Sequence, residues 1–275
     1  MPVLRRGTTA ASTVAALLVV AACGNTAPQS PPPAGKPPTA LDRIVHDKVV
    51  RVCSTGDYRP FTFRDSQGSW SGLDIDMAHD LADRLGARLD LIPSTWAHIV
   101  TDVGTRCDLA MGGISISLKR AQQALYSSPY LRDGKAAIIR CTDSDKYRTL
   151  ADIDTAGVRV VENPGGTNAE FAKSHITHAQ VIEFPDNTMI FDQLANNAAD
   201  VMFTDTSEIR YQIAQNPRLC GVAADRPLTF EQKAYLLPAG EAGLQQYVDQ
   251  WLNIAQHDGT YARLSTRYLG SVIGP

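Results

Sequence analysis

The chain has 275 residues, of which 44% are hydrophobic and 20% charged, and its formal net charge is -3. That length and apolar content suffice for one large or two modest globular domains. The slightly acidic balance excludes the basic face that a nucleic-acid partner requires.

The N-terminus opens with Arg5 and Arg6, followed by an apolar run over residues 10–20 and then Val20-Ala21-Ala22-Cys23. A run this short is an export signal and not a spanning helix. Its small-small-Cys ending resembles the lipobox of bacterial lipoproteins, which implies cleavage before Cys23 and lipidation of that thiol. We therefore expect a signal at 1–23 and a Pro-rich, solvated tether at 24–41. Localisation would be the cell envelope, outside the cytoplasm, with membrane contact only through the lipid.

Beyond the tether, strand-like and helix-like segments alternate. VVRVCST (49–55), ARLDLIPS (87–94) and DLAMGGIS (108–115) read as strands, with a helix over 73–86 between the first two. That helix has an acidic first turn, an apolar face of Ala78, Leu81, Ala82 and Leu85, and Gly86 as its C-terminal stop. Further strands are expected at 136–141, 157–163, 179–185, 199–205 and 233–239, and a last helix at 243–256. Such alternation implies an α/β fold with mainly parallel sheets. Two sheets fit better than one: lobe 1 over 42–131, lobe 2 over 132–231, and a return to lobe 1 over 232–275. Two crossings would leave a ligand cleft between the lobes.

Ligands of open α/β sheets sit beyond the carboxyl ends of strands, which selects residues 55–61, 94–96, 112–120, 163–170 and 204–208. In GGISISLKR (112–120) a strand ends in glycines, then Ser115 and Ser117, then a helix start carrying Arg120. Glycines admit a ligand to the backbone, hydroxyls favour an anion, and an arginine grips a carboxylate bidentately. Asp205 ends another strand, where it would meet an ammonium group or cap the next helix. Tyr58 and Trp96 follow strands and would sandwich a flat ligand, or simply join the core.

The sequence holds no phosphate loop, no dinucleotide fingerprint and no nucleophile elbow. His175 and His178 lack a third ligand nearby, so no metal or cofactor is expected. Without Cys23, four cysteines remain, at 53, 107, 141 and 220; export favours disulfides, and three pairings are open.

The export signal, two lobes, GISIS-x-x-R and the strand-end TD together resemble the amino-acid class of bacterial solute-binding proteins, with their periplasmic-binding-protein type 2 fold. That resemblance implies that Arg120 holds a ligand α-carboxylate with help from Ser115 and Gly113. It implies further that Asp205 holds an α-ammonium, and that Tyr58 and Trp96 form walls. Over most of residues 42–258 the segments STGDYRPFTF, GLDIDMAHDLADRLGA, GGISISLKRAQQALYSSPYLRDGK, NPGGTN, FPDNTMIF, TDTSEIR, EQKAYLLP and YVDQWLNIA are similar to the cyclohexadienyl dehydratases, exported enzymes on the same fold. The likeness implies a Cys141–Cys220 disulfide, leaving Cys53 with Cys107.

The implied reaction is decarboxylative dehydration of prephenate to phenylpyruvate, or of arogenate to phenylalanine. It needs a cationic pocket for carboxylate and a proton for the leaving hydroxyl, so one buried general acid would suffice. The likeness places that acid directly after NPGGTN, where this chain has Ala169. Glu170 comes one residue later, a rotation of ~100° on a helix. Glu170 is the candidate acid, yet Thr167-Asn168-Ala169-Glu170 also has capping-box spacing, with Thr167 accepting from the Glu170 N–H. Asp57, Asp186 and Glu208 are alternative acids. Thr167 and Asn168 are candidate substrate contacts, and Lys233 and Arg132 candidate neutralisers of the ring carboxylate. The competing reading is a non-catalytic lipoprotein that delivers an amino acid to an ABC permease.

Overall fold

The computed structural model describes residues 2, 3, 7 and 38–275. Arg5, Arg6, Cys23 and most of the expected tether lie outside the described residues. The first helix, Ala40–Asp47, begins inside the stretch expected to be tether. Thr39 caps it by accepting from the Asp42 N–H, Asp42 reaches back in a capping box, and Ile44 is fully buried.

Two five-stranded sheets organise the rest. In lobe 1 the strands lie in the order Arg88–Pro93, Val49–Ser54, Leu109–Ala110, Leu236–Pro238, Ala124–Tyr126. In lobe 2 the order is Gln180–Glu183, Arg159–Glu162, Val201–Asp205, Lys135–Arg140, Leu219–Val222. Each sheet is mixed, which corrects the expectation of mainly parallel pairing. Leu236–Pro238 runs antiparallel to both neighbours in lobe 1, and Lys135–Arg140 does so in lobe 2. The reason is topological. Each reversed strand follows directly on a crossing between lobes, so it enters its sheet from the cleft edge, where the parallel strands end. The crossings themselves, Leu131–Asp133 and Glu231–Lys233, pair antiparallel as a two-stranded ribbon.

Helix Leu73–Leu85 buries Ala78, Leu81, Ala82 and Leu85 against lobe 1 and stops at Gly86 in the left-handed region. The C-terminal helices Ala242–His257 and Thr260–Leu269 add Leu244, Val248, Trp251 and Leu264 to the same core. Two smaller apolar clusters lie in lobe 2. Disulfides join Cys53 to Cys107 in lobe 1 and Cys141 to Cys220 in lobe 2. Among the described residues no helix is long and apolar enough to cross a membrane.

Candidate functional site

The cleft is lined by Tyr58, Trp96, Gly113, Ser115 and Arg120 from lobe 1, and by Asn163, Gly166, Thr167, Asn168, Asn187 and Asp205 from lobe 2. On the lobe 1 side the expected strand over 108–115 stops at Ala110, because Gly112 and Gly113 turn the chain with positive φ. A Cβ on Gly113 would come within 2.6 Å of Tyr58, so only glycine fits there. The Gly113 N–H donates to Asp74 at 2.6 Å, and Tyr130 donates to the same oxygen at 2.6 Å. Burial pushes Asp74 up to about 6 against these donors. The Gly113 N–H is thus used by Asp74, while the residue itself lines the cavity.

Ser117 caps the short helix Leu118–Ala121 and fixes Arg120 over the cleft. Arg120 is 8% exposed, donates to the Ser115 carbonyl at 3.2 Å and lies 5.9 Å from the Trp96 ring centre. Among the described residues no carboxylate pairs with it. Trp96 donates its indole N–H to Asp57 and meets Tyr58 edge to face at 5.6 Å. These two rings therefore form a corner, where the sequence suggested a parallel sandwich; Tyr58 stacks on Phe61 instead.

In lobe 2, strand Arg159–Glu162 leads through Asn163 and two glycines into helix Thr167–His175. The cap position is Gly166, so Thr167 is the first helical residue and no side chain caps this end. The expected Thr167–Glu170 capping box is absent because the helix starts one residue earlier and Lys135 claims the threonine hydroxyl. Lys135 donates to Thr167 Oγ1 at 3.0 Å, Asn168 Oδ1 at 2.6 Å and Asp205 Oδ1 at 2.8 Å. Asn168 in turn donates to Thr204.

Asp205 joins the two walls. It sits at the N-terminus of helix Thr206–Gln215 but makes no side-chain cap. Its carboxylate accepts from Lys135, from Lys233 at 2.5 Å and from the Tyr58 hydroxyl. Lys233 also donates to Ser115 Oγ at 2.8 Å. Burial alone would raise the Asp205 pKa, but the two ammoniums outweigh it and hold the carboxyl well below its usual range. Burial likewise opposes the charge on Lys135, and Asp205 and Glu231 overcome it and raise its pKa. Both groups are charged at neutral pH.

Glu208 lies behind this wall, 1% exposed, and shares a hydrogen bond of 2.5 Å with Thr204. Burial pushes it up to about 8, and Asp205 and Asp57 add to the shift despite the Thr204 bond. Glu162 is buried too and is raised well above the usual range by desolvation, while accepting from the Phe203 N–H. Asp186 caps the turn at Asn187–Met189 by accepting from the Thr188 N–H. Neither Glu208 nor Glu162 belongs to the cleft lining; Glu208 lines a neighbouring cavity that shares Asn187 with it.

Of the residues named from sequence, Tyr58, Trp96, Gly113, Ser115, Arg120, Thr167, Asn168 and Asp205 surround one cavity, with Lys233 buried beneath. Glu170 does not join them. Its side chain is 47% exposed at the rim and pairs with Lys119 of the opposite lobe at 2.6 Å. Arg132 is exposed against Phe230. Lys135 was overlooked; its signal was a lysine opening a buried apolar strand directly after SSPYLRDG. Asn187 was also unassigned; it donates across the cleft to the Asp57 carbonyl at 3.0 Å.

Two mixed α/β lobes, a two-stranded crossing and a polar cleft at the strand ends define a bilobal ligand-binding protein. The chain belongs to the bacterial extracellular solute-binding proteins, family 3, whose pattern matches residues 50–271. It is 47% identical over 220 residues to a cyclohexadienyl dehydratase of Pseudomonas aeruginosa, spanning 80% of this chain and 82% of that protein. Among solved structures it resembles an ancestral amino acid-binding protein described as a precursor of cyclohexadienyl dehydratase. That match has TM-score 0.79 and 29% identity, over 84% of this chain and 100% of the other. An ancestral cyclohexadienyl dehydratase matches at 39% identity and TM-score 0.53, over 84% of this chain and 97% of the other.

Proposed function

We propose that the chain is an exported dehydratase that removes CO2 and water from prephenate to form phenylpyruvate. The observation that carries this reading is the state of Asp205. An amino-acid site needs a free carboxylate for the ligand's ammonium, and here that carboxylate is taken by Lys135, Lys233 and Tyr58. Arg120, Lys135 and Lys233 outnumber Asp205 and its neighbour Glu231 by one charge. Such a cleft favours an anion over a zwitterion, and a dicarboxylate over a cationic amino acid. The 47% identity to a protein named for this activity supports the same direction.

In this reading Arg120 grips one carboxylate, with Ser115 beside it. The Trp96–Tyr58 corner packs against the ring. Closure of the lobes, seen in the Asn187–Asp57 and Lys119–Glu170 contacts, excludes water from the reacting ring. Because Asp205 is occupied, prephenate is preferred to arogenate, whose amine would have to displace a lysine. Lipidation of Cys23 would tether the enzyme to the outer face of the membrane.

The second reading, a non-catalytic lipoprotein serving a permease, draws on Ala169 and on the rim position of Glu170, which leave the cleft without a protonated carboxyl group. The deciding experiment mixes purified protein with prephenate at neutral pH and follows phenylpyruvate against a no-protein control. Turnover above that control is expected. A folded preparation that is inert with prephenate and arogenate, and binds an amino acid, would establish the second reading instead.

A further inference from the structure

Breaking the C–O bond of a cyclohexadienyl alcohol requires a proton for the departing oxygen, and the cleft offers few sources. Among the described residues Asp205 is the one carboxyl group in the lining, and two lysines keep it ionised. The Tyr58 hydroxyl spends its proton on Asp205. Glu208 lines a neighbouring cavity with Asp57 and Arg59 and is absent from this lining, and Glu170 lies at the rim. Two hydroxyls remain, each backed by a buried ammonium: Ser115 by Lys233 at 2.8 Å, and Thr167 by Lys135 at 3.0 Å. Among the described residues, neither hydroxyl donates its own proton to a protein acceptor.

The two differ in place. Ser115 sits beside Arg120, whose guanidinium donates to the Ser115 carbonyl, so it belongs to the carboxylate end. The hydroxyl of the substrate leaves from the ring carbon opposite the one that carries the carboxylate. Its proton donor therefore belongs on the other wall. Thr167 is on that wall, at the first position of a nine-residue helix whose free N–H groups favour developing negative charge.

We infer that the Thr167 hydroxyl, recharged by the Lys135 ammonium, protonates the leaving group; this rests on the dehydratase reading above. Thr167 gives its proton to the substrate hydroxyl as Lys135 gives one to Thr167 Oγ1. The C–O bond breaks and its electron pair leaves with water. The C–C bond to the ring carboxylate breaks, its pair enters the ring, and CO2 departs. One proton is consumed, and solvent returns it to the neutral Lys135 amine. Asn168 and Asp205 fix Lys135 at its other two hydrogen-bond positions, so its third proton is aimed at Thr167. Aromatisation supplies much of the driving force, which makes an acid as weak as lysine sufficient.

The test is a kinetic series on prephenate. Thr167→Val is expected to lower kcat by roughly 100-fold with little change in KM, the usual size of a lost proton donor. Thr167→Ser should retain kcat within about threefold, since it keeps the hydroxyl. Lys135→Met should lower kcat comparably, and the double variant no further, because the two act as one unit. Glu170→Gln should leave kcat close to that of the unsubstituted protein, whereas Ser115→Ala, at the carboxylate end, should raise KM more than it lowers kcat. If Lys135→Met fails to fold, the Thr167 pair alone decides. Full turnover in Thr167→Val, loss of kcat in Glu170→Gln, or a loss of kcat in Ser115→Ala as large as that in Thr167→Val would overturn the inference and leave the dehydratase reading intact. No turnover by the unsubstituted protein would overturn both.

Discussion

Lys135 and Asp205 face each other as direct partners across antiparallel strands, Nζ to Oδ1 2.8 Å, with side chains 0% and 3% exposed. Two charges that deep are tolerated only as a pair, and Lys233 makes it a triad. Removing the carboxylate takes from Lys233 its acidic partner and from Lys135 the nearer of its two. Asp205→Asn should therefore lower unfolding stability by about 3–5 kcal/mol, read from denaturant midpoints. Adding Lys135→Met to that variant should restore only part of the loss, by removing the repulsion between the two ammoniums, because Lys233 stays unpaired. A single variant within about 1 kcal/mol of the original would show that the charges are solvated in a way this arrangement does not allow.

Arg120 is buried and no carboxylate among the described residues pairs with it, which is costly unless a ligand supplies one. A hydrogen bond to a charged group contributes about 1.5–3 kcal/mol, so Arg120→Lys should raise KM for prephenate by roughly 10- to 100-fold. The loss should fall mainly on KM, because the carboxylate is held in the ground state too. A variant with unchanged KM and lowered kcat would place Arg120 at the reacting end of the ring.

Glu208 couples stability to pH. Its folded pKa, about 8, lies above that of an ordinary glutamate, so the folded protein binds the proton more tightly than the unfolded chain. Its stabilising contribution is complete below about 4.5 and is lost progressively as pH rises to about 8. Glu208→Gln keeps a partner for Thr204 and cannot ionise. It should flatten that decline and raise Tm at pH 8.5 by roughly 2–4 °C for each kcal/mol recovered. Thermal melts from pH 5 to 9 would show it; equal slopes for both proteins would remove Glu208 as the cause.

Strand ends were legible in sequence because turn glycines, caps and apolar runs are local. Tyr58, Ser115, Arg120, Asn168 and Asp205 all follow such strand ends, and they line one cavity. What was illegible depended on pairing. Lys135 reads as an ordinary residue at the mouth of a strand, and its meaning comes from Asp205, 70 residues away, lying opposite in an antiparallel register. The expectation of mainly parallel sheets could not have shown that partner. Glu170 lies at the rim for a finer reason. Placing the helix cap at Gly166 instead of Thr167 frees the threonine hydroxyl for Lys135 and leaves Glu170 to Lys119.

The disulfides provide a test that is independent of any substrate. Cys53–Cys107 closes a separation of 54 residues and Cys141–Cys220 one of 79, so each should contribute about 4 kcal/mol by restricting the unfolded chain. Their accessibility differs. Cys53 and Cys107 are 0% and 1% exposed inside lobe 1, whereas Cys141 and Cys220 are only partly buried in lobe 2. Thiol–disulfide exchange needs direct access of the attacking thiolate to sulfur. Under native conditions a mild reductant should open Cys141–Cys220 first, leaving lobe 1 folded and its pair closed. Alkylation of timed samples followed by peptide mass mapping would read the order. Labelling of Cys53 and Cys107 before the other pair would mean that lobe 1, despite its larger core, opens more readily than lobe 2.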